Sequence, residues 1–194
     1  MKLNIDIRYR SPEAWIQSVI SNFDKFLIDH ADCERKASAM ALSFVAKYPD
    51  RKEIIPELID TALEELEHFK LVYEIMVKRN ISLPTGMSED PYIKALLIHC
   101  HSGIKERFLD RLLIASVAET RGAERFSLVA DHLEDEELKK FYKMLWVSEA
   151  KHGHIYVKMA LHYFDEDSVY KRLDRWMDIE AEVVSKLEIR PALH

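Results

Sequence analysis

Glu64-Glu-Leu-Glu-His-Phe69 and Ser148-Glu-Ala-Lys-His152 each set a carboxylate three residues ahead of an imidazole. On a helix, positions i and i+3 share one face, so Glu65 and His68 project together, as do Glu149 and His152. A pair of this kind is a bidentate offer to a metal ion. Two of them in one chain call for the rest of a ligand set, which the surrounding sequence supplies. Glu34 and Glu65 lie equally far from the break at Pro49-Asp50. Glu119 and Glu149 lie equally far from the break at His132–Asp135. Residues equidistant from a tight turn between two helices sit at one level, so each Glu-x-x-His pair faces another Glu across its own turn. The spacing from Glu34 to Glu119 differs by only one residue from that between Glu65 and Glu149, which makes the two halves near-duplicates in register. Glu124 is a rival to Glu119. It lies among Thr120, Arg121, Ser127, Leu128 and Asp131, a polar face, whereas Glu119 lies among Ala115, Ser116, Gly122, Ala123 and Phe126. The small apolar stripe favours Glu119.

The wider pattern is helical. The chain has 194 residues with only 4 Gly and 6 Pro, too few turn formers for an all-β sandwich or a Gly-rich nucleotide fold. Ser11-Pro12-Glu13 starts a helix that apolar spacing carries to about Ile28. Four core helices are expected over about 29–48, 52–80, 104–132 and 136–164. A loop with Pro84 and Gly86 covers 81–90, a short helical segment 91–101, and a last helix about 169–187. Two tight hairpins joined by one long crossover is the connectivity of ferritin-like four-helix bundles. The expectation is therefore all-α: one ferritin-like di-iron domain over 1–194, with additional N- and C-terminal helices.

In such bundles a di-iron or di-manganese site takes a Glu from each of two helices and a Glu-x-x-His from each of the other two. The expected ligands are Glu34, Glu65, His68, Glu119, Glu149 and His152. Four carboxylates gathered out of water repel one another, and two divalent ions remove that cost. A mixed carboxylate and imidazole shell suits iron or manganese. His30 and His99 read as core-edge or surface histidines, and Cys33 as a packed thiol beside Glu34. Neither Cys33 nor Cys100 belongs to a CxxC pair. The basic groups Arg8 and Arg10, Lys78 and Arg79, Lys105, Arg107 and Arg111, and Lys171, Arg172 and Arg175 read as solvated faces.

These blocks carry a family resemblance. His30-Ala-Asp-Cys-Glu-Arg-Lys-Ala37, Glu64-Glu-Leu-Glu-His-Phe69, Asp110-Arg-Leu-Leu113, Ala118-Glu-Thr-Arg-Gly-Ala-Glu-Arg-Phe126, Ser148-Glu-Ala-Lys-His152 and Arg175-Trp-Met-Asp-Ile-Glu-Ala-Glu182 resemble, in order, those of the tRNA 2-methylthio-N6-isopentenyladenosine hydroxylases. The resemblance implies a non-haem di-iron monooxygenase. It implies hydroxylation of the isopentenyl side chain beside the tRNA anticodon, with O2 as co-substrate and electrons from a reductase or ferredoxin. Matched position by position, the iron ligands are the same six residues. Gly122-Ala123 departs from the family, where a small polar residue and Cys are expected; the swap keeps small side chains beside Glu119. The competing reading is a ferritin-like ferroxidase or peroxide-consuming protein with no RNA substrate.

The formal charge of −6 argues against coating nucleic acid by bulk charge. Two ferrous ions would offset four of those six charges, leaving a local basic rim as the expected RNA contact. The sequence holds no apolar run near the roughly 18 residues of a membrane span and no signal-type segment, so a cytoplasmic protein without membrane contact is expected.

Overall fold

The structure is a computed structural model that describes residues 5–86 and 89–194. Seven helices and no strands occur among the described residues: α1 (Glu13–Ser21), α2 (Phe23–Lys47), α3 (Ile55–Lys78), α4 (Pro91–Leu97), α5 (Ile104–His132), α6 (Glu136–Leu161) and α7 (Glu166–Lys186). They divide into two compact units. Among the described residues, one comprises 17–86 and 190–193, the other 5–16, 89–189 and 194.

The first unit is the hairpin of α2 and α3. The break expected near Ile28 lies instead at Asn22, whose φ of −137° leaves the helical region and whose amide donates to the Ser18 carbonyl. The physical reason is in the spacing: Phe26, Leu27, His30, Ala31 and Glu34 form one continuous buried face, which a break at Ile28 would interrupt. Ser38 Oγ donates to the Ala62 carbonyl at 2.8 Å and ties the two helices together. Pro56 sits in the first turn of α3, where its missing N–H has no partner to lose. The helix ends in a Schellman motif. Asn80 takes φ 58°, its N–H bonds the Val77 carbonyl, and the Ile81 N–H reaches back to the Met76 carbonyl at 2.9 Å. The expected loop at 81–90 is non-helical where described; its Met87 and Ser88 lie outside the described residues.

The second unit is built on the hairpin of α5 and α6, with α4 and α7 packed on it. Asp90, Asp135 and Asp165 cap α4, α6 and α7, each accepting from backbone N–H groups of the first turn. α5 and α6 approach closely at Gly153. A Cβ there would stand 2.7 Å from Thr120 Oγ1 and 3.2 Å from the Ser116 carbonyl, and Ser116 Oγ donates to the Gly153 carbonyl at 2.7 Å. α4 is shorter than the expected 91–101 segment and stops at Leu97.

A buried polar network holds this unit together. Arg121, fully buried, donates from Nε and Nη2 to the two carboxylate oxygens of Glu180 at 2.7 and 2.9 Å. It also reaches Glu124 at 3.0 Å and the Tyr9 carbonyl at 2.7 Å. Glu124 in turn accepts from Ser11 N and Oγ. The polar residue types around Glu124 thus serve, at Glu124 and Arg121, to anchor the N-terminal segment. Arg125 packs over Trp15 at 4.7 Å, and burial, with Arg121 beside it, pulls its guanidinium down to about 10. Asp110 organises a second cluster: it accepts from Arg172, from Trp176 Nε1 and from the backbone and ring nitrogens of His101. Arg8 is engaged with Asp174 and Asp178, and Arg79 with Asp24, so these cations serve ion pairs within the fold.

Candidate metal centre

Each unit carries one triad of ligand-type side chains. In the first, α2 contributes Glu34 and α3 contributes Glu65 and His68. One ligand atom from each lies within 4.8 Å of the other two. His68 Nδ1 stands 3.4 Å from Glu65 Oε2 and 3.7 Å from Glu34 Oε2. In the second, α5 contributes Glu119 and α6 contributes Glu149 and His152, again within 4.8 Å of one another, with His152 Nδ1 3.7 Å from Glu149 Oε2. All six side chains are buried, none more than 8% exposed. Both triads follow the same construction: i, i+3 spacing on one helix and a facing Glu on its hairpin partner.

His30 is the residue that the sequence reading undervalued. It is fully buried, and its Nε2 lies 2.6 Å from Glu34 Oε1. An ionised carboxylate only accepts, so the ring donates there. The spacing from His30 to Glu34 is one helical turn, which was a signal available in the sequence. Cys33 is in no disulfide, and its thiol donates to Asp29 Oδ2 at 3.7 Å.

The donor set fits a hard or borderline divalent metal. Two carboxylates within 4.8 Å in a buried setting repel, and a cation offsets both the repulsion and the desolvation. Oxygen donors with one imidazole per triad match iron or manganese better than a thiolate-seeking ion. Gly122 leaves space against the second triad, since a Cβ there would meet only Glu149 Cγ, at 3.9 Å.

All-helical hairpins with a buried Glu and Glu-x-x-His in each define the class of ferritin-like metal-binding proteins. Residues 3–194 match the family model described as tRNA-(MS[2]IO[6]A)-hydroxylase (MiaE), and the chain belongs to that family. It is 35% identical over 176 residues to the tRNA 2-(methylsulfanyl)-N(6)-isopentenyladenosine(37) hydroxylase of Pseudomonas putida, covering 90% of this chain and 84% of that one. It is 26% identical over 223 residues to the protein of the same name from Salmonella typhimurium, covering 90% and 82%. Among solved structures it is similar to a protein with aldehyde deformylating oxygenase activity from Synechococcus. The TM-score is 0.90 at 28% identity, over 97% of this chain and 94% of that one. No helix among the described residues is long and apolar enough to cross a membrane.

Proposed function

We propose that this chain is a tRNA-modifying di-iron monooxygenase. It hydroxylates the isopentenyl side chain of 2-methylthio-N6-isopentenyladenosine next to the anticodon, acting in the cytoplasm where tRNA is found. The observation that carries the reading is the pair of buried triads, one per hairpin, in a chain of this family. Residues 1–194 act as one ferritin-like di-iron domain in which Glu34, Glu65, His68, Glu119, Glu149 and His152 hold two iron ions. The iron pair supplies activation of O2, which the protein's own side chains cannot provide.

The chain's contribution is binding and orientation. Four carboxylates and two imidazoles give each metal a mixed O,N shell. His30 fixes the direction of the Glu34 carboxylate, so that its remaining lone pairs face the triad. The small residues Ala115, Gly122 and Ala123 beside Glu119 limit the side-chain bulk next to the second triad, and a Cβ at Gly122 would meet only Glu149 Cγ, at 3.9 Å. The reaction consumes O2, two electrons and two protons, and gives the allylic alcohol and water. The electrons come from an external one-electron carrier such as a ferredoxin and its reductase. The adenosine must be splayed from its loop, because a stacked base cannot bring its side chain among helices.

The test is hydroxylation itself. Iron-loaded protein with a reductant and O2, added to tRNA bearing the isopentenyl modification, is expected to give a nucleoside heavier by one oxygen on mass spectrometry. Rapid iron oxidation and mineral formation with no change in the tRNA would overturn the assignment.

A further inference from the structure

α6 has two chemically different faces. Its inward face carries Glu149 and His152. Its outward face runs Lys140, Lys143, Val147, Lys151, His154 and Lys158 at 3–4 spacing, and all four lysines are exposed. Between Leu138 and Leu161 the helix has a single acid, the buried Glu149, against five lysines. Lys139 bonds Glu136 at 3.0 Å; that bond first, and then the charges of Lys140 and Lys143, hold the Glu136 carboxyl below its usual range. In the middle of this field are three exposed apolar side chains, Met144, Trp146 and Val147, with Val147 66% exposed. An apolar centre with cations on either side along the helix is the makeup of a docking surface that steers a negatively charged partner and then buries a small contact.

We propose that this face of α6 docks an acidic one-electron carrier protein that reduces the metal centre; the proposal rests on the hydroxylase reading above. Charge selects the partner, since beyond Glu136 at its N-terminal edge, which Lys139 pairs, the exposed face offers lysine and no carboxylate. Position selects its role. The face lies directly behind two ligands of the centre, across one helix, about 10 Å in diameter. An electron crosses that gap through bonded atoms and needs no opening. A nucleotide needs one, and α6 is continuous from Glu136 to Leu161. A polyanionic RNA would also feel these lysines, but it could not deliver a side chain through the helix.

The test compares the protein with its Lys140→Glu, Lys143→Glu double variant, which leaves every proposed ligand intact. The probe is an acidic two-iron ferredoxin, titrated onto the metal-free protein and then used as electron donor. The variant is expected to bind this ferredoxin about tenfold more weakly, with a flatter salt dependence. It should show a raised KM for ferredoxin and unchanged dithionite-driven hydroxylation. Its affinity for an anticodon stem-loop should stay the same. Unchanged ferredoxin affinity overturns the proposal, and loss of stem-loop affinity alone assigns the face to RNA instead. If dithionite drives no hydroxylation in either protein, the hydroxylase reading fails, while the ferredoxin titration still decides the docking face.

Discussion

His30 Nε2 lies 2.6 Å from Glu34 Oε1, with both side chains buried one helical turn apart on α2. A buried carboxylate held on one oxygen by an imidazole is turned so that its other oxygen faces His68, 3.7 Å away. His30→Ala is therefore expected to weaken iron binding by about 10–100-fold while leaving the helical content unchanged. Iron titration of the metal-free variant, read beside its circular dichroism, checks this. His30→Gln, which retains a donor, should recover part of the loss. An iron affinity equal to wild type in both variants would remove His30 from the site.

Removal of a proposed ligand has a larger effect. Glu65→Ala and Glu149→Ala each take one carboxylate from a different triad. Metal analysis of either variant purified from iron-rich cells is expected to give well under two irons per chain. Hydroxylation of tRNA is expected to fall by more than about 100-fold. Each variant also removes a buried like charge, so the metal-free form should unfold no more readily than metal-free wild type.

Two glycines near the second triad differ in what they tolerate. At Gly153 an added Cβ would press on Thr120 Oγ1 and on the fixed Ser116 carbonyl, so Gly153→Ala should cost about 1–3 kcal/mol of stability. At Gly122 the nearest atom is at an ordinary contact distance, and alanine is the better helix former. Gly122→Ala should therefore be neutral or stabilise by up to about 1 kcal/mol. Thermal or urea unfolding of the two variants, with metal removed, gives the comparison.

Acid sensitivity should centre on Asp110. Burial alone would raise its carboxyl, yet the bonds from Arg172, His101 and Trp176 together hold it below the usual value of 3.8. The folded form thus releases this proton more readily than the unfolded chain. The resulting stability is present above pH 3.8 and is lost as pH falls through the lowered folded value. Asp110→Asn should be less stable than wild type at neutral pH, with the difference shrinking as pH drops below 3.8. Unfolding free energies from pH 7 down to pH 3 test the sign.

The buried Arg121–Glu180 pair makes the strongest stability prediction. Glu180→Ala leaves a fully buried guanidinium with Glu124 as its remaining carboxylate partner. Breaking such a pair costs about 3–5 kcal/mol. The double variant Arg121→Met, Glu180→Leu should recover most of it, and denaturant unfolding of both variants measures the difference.

The triads were legible because their rule is local. Glu65 and His68, or Glu149 and His152, share a face by helical periodicity, and equal distance from a turn places Glu34 and Glu119 opposite them. The start of α2 was misplaced because the stretch from Phe23 to Leu27 fits equally well at the end of one helix or the beginning of the next. Only burial of the continuous Phe26–Glu34 face decides which. Lys140, Lys143, Lys151 and Lys158 of α6 lie three, eight and seven residues apart, so they form no run in the sequence and only the helix gathers them on one face.

The sequence by itself determined the helical class, the hairpin order and the six candidate ligands, since each follows from residue spacing along a helix. Only the tertiary structure decided that Glu124 anchors Ser11 and Arg121, that Arg121 is sealed against Glu180, and that Asp110 gathers His101, Arg172 and Trp176. These partners lie far apart in the chain, and periodicity carries no information about which distant polar groups meet. That is settled by packing, which leaves a buried charge stable only where an opposite charge or a set of donors comes to meet it.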